Sequence, residues 1–222
     1  MKKIIGLIIM LIVMLVALTG CAEVNYEVEV HKDGSGEITY IYGVSKNKIG
    51  NAPDIVEQFV ETMREQAEES GYTVELYEND EISGFKANKY VKNLTEEFSL
   101  EEAFGEEYVQ DTENNKINIE NNFWTTTYSQ NTELDLTHLS NTDVEMTYKI
   151  KLPTKVKTSN ASEISEDGKA LKWNLTGGEL NKIEFVAEEI NILPIIIIAI
   201  VAIIIVVAVV FIILKKKHLA KK

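Results

Sequence analysis

Residues 22–44 read AEVNYEVEVHKDGSGEITYIYGV. Val24, Tyr26, Val28 and Val30 alternate with Glu23, Asn25, Glu27 and Glu29, which is the period-two pattern of a strand with one buried face. His31-Lys32-Asp33-Gly34-Ser35-Gly36 supplies turn residues, and Ile38, Tyr40, Tyr42 and Val44 resume the alternation. The two runs predict a β-hairpin. Outward from it, strands are predicted at about 72–78, 82–91, 116–128, 143–152, 169–175 and 181–190. Val144, Met146, Tyr148, Ile150 and Leu152 alternate, as do Leu171, Trp173 and Leu175. Residues 52–70 carry the other period. Ile55, Phe59, Met63 and Ala67 recur every fourth residue beside Val56 and Val60, an apolar stripe on a long amphipathic helix. Asp54 and Glu57 suit its start and Gly71 its end. Ser99 and Glu102 have capping-box spacing, so a short second helix is expected near Ser99. The fold class is α+β, mainly antiparallel β-sheet with one long amphipathic helix and a short second helix, plus a C-terminal transmembrane helix.

The chain has 222 residues and a formal net charge of −13. Residues 1–21 and 193–222 hold no Asp or Glu. The middle segment therefore sets 15 basic residues against all 35 acidic ones, leaving −20 over 171 residues. This distribution excludes a cytosolic enzyme with a free N-terminus. It excludes a polytopic transporter, because only two stretches could cross a bilayer. It also argues against nucleic-acid binding, which needs a basic surface.

Residues 1–20 have the layout of a secretory signal peptide, with Lys2 and Lys3 ahead of an apolar run from Ile4 to Leu18. Leu18, Thr19 and Gly20 before Cys21 resemble the bacterial lipobox, in which the cysteine thiol takes a diacylglyceryl group and becomes the mature N-terminus. The alternative is an uncleaved anchor ending in a chance cysteine. Cys21 is the chain's only cysteine, so no intramolecular disulfide and no cysteine-rich metal site can form. Residues 195–214 are 20 apolar residues without charge, about 30 Å as a helix. A buried core helix would show a polar face, and this segment has none. KKKHLAKK follows, a basic flank that belongs on the cytoplasmic side. The organisation expected is a signal peptide at 1–20, an extracytoplasmic α+β domain at 21–192, a transmembrane helix at 193–214 and a cytoplasmic tail at 215–222. Neither end of the domain has a stalk, so both ends are expected on the same, membrane-facing side.

A lipobox, a strand with an Asp33-Gly34-Ser35-Gly36 turn, Lys151-Leu152-Pro153, Asn160, Asp167-Gly168-Lys169, Leu171, Trp173-Asn174-Leu175 and one C-terminal span follow in order. This series resembles the LppM-domain family of bacterial surface lipoproteins over most of residues 21–214. The resemblance implies an envelope protein with an exported α+β domain, and it implies no catalytic residues.

His31, His138 and His218 have no metal-ligand spacing, and GxSxG, P-loop and GxGxxG motifs are absent. Asp33-Gly34-Ser35-Gly36-Glu37 has too few spaced oxygens for an EF-hand. Glu96-Glu97, Glu101-Glu102 and Glu106-Glu107 recur every five residues, an advance of about 500° on a helix, so they share no face. Lys149, Lys151, Lys155 and Lys157 alternate around Pro153 and are expected to share a solvent face. No catalytic, cofactor or metal residue is assigned; the site residues are Cys21 for lipidation with Leu18, Thr19 and Gly20. The function expected is a membrane-anchored surface lipoprotein whose acidic domain binds an envelope component or protein partner without catalysis. A small-ligand or lipid-binding domain with a cavity between helix and sheet is the first rival. A hydrolase using a carboxylate pair is the second. A deep apolar cavity would favour the first rival, and a desolvated carboxylate in a cleft the second.

Overall fold

The computed structural model describes residues 22–46, 60–62, 64–65, 67–104, 108–109, 115–140 and 144–219. Eleven strands among these form two sheets. The larger is ordered β3 (Thr73–Glu78), β4 (Ile82–Val91), β2 (Gly36–Ser45), β1 (Ala22–Val30), β7 (Val144–Lys151), β10 (Ala170–Leu175) and β9 (Glu163–Ile164). The smaller is ordered β5 (Asn118–Asn121), β6 (Thr125–Asp135), β11 (Leu180–Ile190) and β8 (Val156–Ser159). Every pairing is antiparallel except β1 with β7. The predicted hairpin is β1–β2, in register from Ala22 opposite Val44 to Val30 opposite Gly36. Its turn is closed by Gly34 at φ 85°, a left-handed conformation that costs glycine little.

The two sheets share one core because their alternations point at each other. Tyr26, Tyr148 and Trp173 occupy neighbouring strands of the large sheet, and Trp173 meets Phe185 of the small one with ring centroids 6.2 Å apart. Tyr148 Oη donates to Gln130 Oε1 across the gap at 3.0 Å. Burying a phenol without a partner would cost roughly 1–3 kcal/mol, so this bond matters. Phe98 and Phe104 close the same cluster over Tyr26 from two short helices, α1 (Leu94–Glu97) and α2 (Leu100–Phe104). The helix expected near Ser99 is α2. The sequence missed α1, which Asn93 caps: its Oδ1 accepts from Thr95 N, while Glu97 Oε1 accepts from Asn93 N.

Residues 60–62, 64–65 and 67–69 of the long amphipathic helix are helical, with Val60 and Ala67 on the core and Glu61, Glu65, Glu68 and Glu69 exposed. Ile55, Val56, Phe59 and Met63 lie outside the described residues. The single strand expected at 116–128 is two strands, since the chain reverses at Asn122–Trp124 and Asn122 N donates to Thr125 O. The sequence also missed β8 and β9, four and two residues long, which are too short to establish a period.

The last helix, α3 (Ile192–Leu219), follows β11 after Asn191. Its window Ile192–Phe211 has a mean hydropathy of 3.6 and is 6% buried. The two domain ends, expected on one membrane-facing side, lie about one strand length apart. Lys32 of the β1–β2 turn forms an ion pair with Glu189, which sets the far end of β1 beside the end of β11. Ala22 lies at the other end of this nine-residue strand, about 26 Å away at ~3.3 Å per residue.

Candidate functional site

Cys21, Leu18, Thr19 and Gly20 lie outside the described residues, as do Glu106 and Glu107. The structure separates the other groups that the sequence singled out. Glu96 and Glu97 are in α1 and Glu101 is in α2. His31 contacts Ser35 Oγ at 3.0 Å within its turn, and His138 sits in the 3-10 turn Thr137–Leu139. Among the described residues no three His, Cys, Asp or Glu side chains gather as a metal site.

The lysine cluster is split. Lys149 and Lys151 alternate on β7 and so share the outer face of the large sheet, whereas Lys157 belongs to β8 of the small one and pairs with Glu188. The chain changes sheet between Lys151 and Val156, through Pro153, so the alternation does not carry across. The cross-strand register instead assembles a row that sequence separation conceals. Glu27 on β1 stands opposite Lys149, Lys149 opposite Lys172 on β10, and Lys172 opposite Glu163 on β9. Lys172 Nζ reaches Glu163 Oε1 at 3.0 Å, and one step along, Lys151 Nζ reaches Glu29 Oε1 at 2.7 Å. Ile164, Ser165 and Leu171 complete an open depression of about 420 Å³ around these charges. Two lysines directly opposite one another repel unless an anionic group lies near them.

The charges there follow from their neighbours. The Lys172 ammonium holds the Glu163 carboxyl below its usual range, and Glu29 holds the Lys151 ammonium above its own. Asp33 and Asp167 are also lowered, by hydrogen bonds from the Ser35 and Ser165 hydroxyls respectively. Among the described carboxylates each resolved shift is downward and each group is exposed. This is opposite to the raised, desolvated acid that a carboxylate hydrolase uses.

A second opening, about 560 Å³, lies at the margin of the small sheet where β5 begins and β6 runs on past it. Gln130 lines it, together with Lys116, Ser129, Glu184 and Phe185. Gln130 is 3% exposed, and with Oε1 taken by Tyr148 its Nε2 has no hydrogen-bond partner among the described residues. Sequence reasoning missed this residue, because a glutamine on a threonine-rich strand reads as outward-facing.

The LppM domain family model matches residues 23–189. The NMR structure of the folded domain of the Mycobacterium tuberculosis LppM protein is similar in fold. It has a TM-score of 0.50 at 14% identity, over 78% of this chain and 92% of that one. No curated protein matches the chain.

Proposed function

The chain belongs to the LppM-domain family, and on that premise we propose that it is a membrane-anchored surface lipoprotein whose exported acidic domain binds an envelope component or protein partner without catalysis. In this reading Cys21 carries the lipid, α3 spans the membrane and residues 215–222 are cytoplasmic. The observation that carries the binding role is the row Glu27, Lys149, Lys172 and Glu163. It sets two lysines directly opposite one another, flanked by two glutamates, on the outer face of the large sheet in a domain whose net charge is −20. The interior offers little by comparison. Tyr42, Tyr148, Phe85, Phe98 and Phe185 are fully buried in it, and burial pushes the Tyr42 and Tyr148 phenols up, away from titration at neutral pH.

The facing lysines favour a partner that presents a carboxylate or phosphate between Lys149 and Lys172. A photoreactive residue at Ile164, exposed at the rim of the depression, tests this in the full chain on intact cells. One recurrent envelope component should be captured, and the pair Lys149→Glu/Lys172→Glu should abolish the capture. No recurrent product, or capture indifferent to the pair, contradicts the reading.

The unpartnered Gln130 amide supports the ligand-binding alternative, though at the sheet margin rather than between helix and sheet. A ligand bringing a carbonyl or hydroxyl acceptor to Nε2 would satisfy a donor that otherwise stays buried at a cost. Replacing Gln130 by Leu should then abolish ligand binding. Under the preferred reading it should leave capture at Ile164 unchanged.

A further inference from the structure

The β5–β6 hairpin reverses at Asn122-Phe123-Trp124, with Phe123 63% and Trp124 52% exposed. Their rings meet edge to face, with centroids 4.9 Å apart. Large aromatic side chains left in water this way are costly, and nothing in their own sheet covers them. What lies beside them is the root of α3. Asn191, the last residue before that helix, donates its backbone N–H to Trp124 O at 2.8 Å and its Nδ2 to Asn122 O at 2.7 Å. Thr126 Oγ1 is 3.0 Å from Asn191 Oδ1. These contacts fix the aromatic pair to the first turn of α3. Ile190 and Ile192, on either side of Asn191, are 64% and 65% exposed.

Charge is missing from this surface although the domain is strongly acidic. Residues 121–126 and 190–194 hold no ionisable side chain, and of the two carboxylates that flank them along the chain Glu189 is paired with Lys32 and Glu120 accepts from Asn118 Nδ2 at 3.0 Å. An uncharged surface of Phe, Trp, Ile, Asn and Thr at the foot of an apolar helix has the composition of the membrane interface. There an aromatic ring buries its body while its polar edge stays wet. We propose that the 122–124 hairpin tip seats in the headgroup region of the leaflet that α3 enters, with Phe123 and Trp124 as interfacial anchors. This gives the domain a membrane contact separate from its lipid and its span, and the contact fixes the domain's tilt. The inference rests on α3 spanning the membrane.

The test uses the full chain reconstituted into phosphatidylcholine vesicles, with and without lipid brominated near the headgroup end of its acyl chains. Trp124 and Trp173 are the two tryptophans, and Trp173 is 3% exposed in the core. Subtracting the emission of Trp124→Phe therefore isolates Trp124, and this exposed exchange leaves the fold intact. The expected result is Trp124 emission shifted to shorter wavelength by the vesicles and lost to brominated lipid, with the Trp173 signal unchanged. Emission at the water-exposed wavelength, unquenched in protein that floats with the vesicles, overturns the proposal while leaving the span intact. A blue-shifted but unquenched signal also overturns it, since protein rather than lipid then covers the tip. Failure to float with the vesicles overturns both the span and the tip contact.

Discussion

Trp173 Nε1 donates to Asn160 Oδ1 at 2.7 Å, which ties the large sheet to the chain leaving the small one. The same oxygen accepts from Glu184 N at 2.8 Å, and Asn160 Nδ2 donates to Lys182 O at 2.8 Å. One side chain thus joins β10 to β11 across the edge of the core. Asn160→Ala should leave the Trp173 N–H and the Glu184 N–H without this acceptor, at a cost of about 1–3 kcal/mol. Denaturant unfolding of the detergent-solubilised chain would show it. Unchanged stability would mean that water replaces the amide freely.

Gly84 on β4 faces Gly43 on β2, and the strands approach closely there. A Cβ on Gly84 would lie 1.9 Å from the Tyr42 carbonyl oxygen, which is backbone and cannot swing away. Gly84→Ala should therefore push β4 off β2 and destabilise by at least ~1–3 kcal/mol, the usual cost of overpacking. Stability equal to wild type by thermal unfolding would show that the sheet can open at this point.

Asp167 caps a tight turn by accepting from Ser165 Oγ at 2.6 Å and from Lys169 N at 3.1 Å. Its carboxyl is held below the ordinary value, so the charged form is favoured in the fold. Stability from such a group is fully present above its unfolded pKa, ~3.9, and is lost as pH falls through the lower folded value. Asp167→Asn keeps an oxygen acceptor and removes the charge. Its melting temperature should lie below wild type at pH 7 and at pH 5, and the gap should close only below about pH 4. A gap that stays constant into strong acid would assign the effect to shape rather than charge.

The regular strands were legible because one face of each is buried. Val24, Tyr26 and Val28 on β1, Met146, Tyr148 and Ile150 on β7, and Leu171, Trp173 and Leu175 on β10 all face the core. Phe123 and Trp124 fall inside the strand expected at 116–128, yet they stand at a turn signalled only by Asn121-Asn122. The row from Glu27 to Glu163 could not be read, because register between distant strands has no local signature. The orientation of β1 relative to β11 is equally non-local: it depends on contacts such as Lys32 with Glu189, 157 residues apart.

That orientation constrains how the domain rides. If Cys21 is lipidated in the membrane that α3 spans, an upright domain would hold the lipid about 26 Å from the bilayer, the length of β1. The domain should therefore lie with β1 along the surface. Glu145, exposed and opposite Glu23 near the Ala22 end, offers a site for a thiol label. Lipidation blocks the only native cysteine, so Glu145→Cys is labelled alone. A label there should be quenched by membrane-surface quenchers in the lipidated chain and released when a cleavable secretory signal replaces residues 1–21. Equal exposure in both would show that the lipid does not pull this end down.

Metabolic labelling with a fatty acid, followed by membrane fractionation, tests the central claim of a doubly anchored surface lipoprotein most directly. The wild-type chain should carry label and fractionate with membranes. Cys21→Ser should carry none and stay in the membrane through α3 and its retained signal, and deletion of 193–222 should stay attached through lipid alone. A wild-type chain that takes up no label at Cys21 would contradict the lipoprotein claim and leave a membrane protein held by its hydrophobic segments.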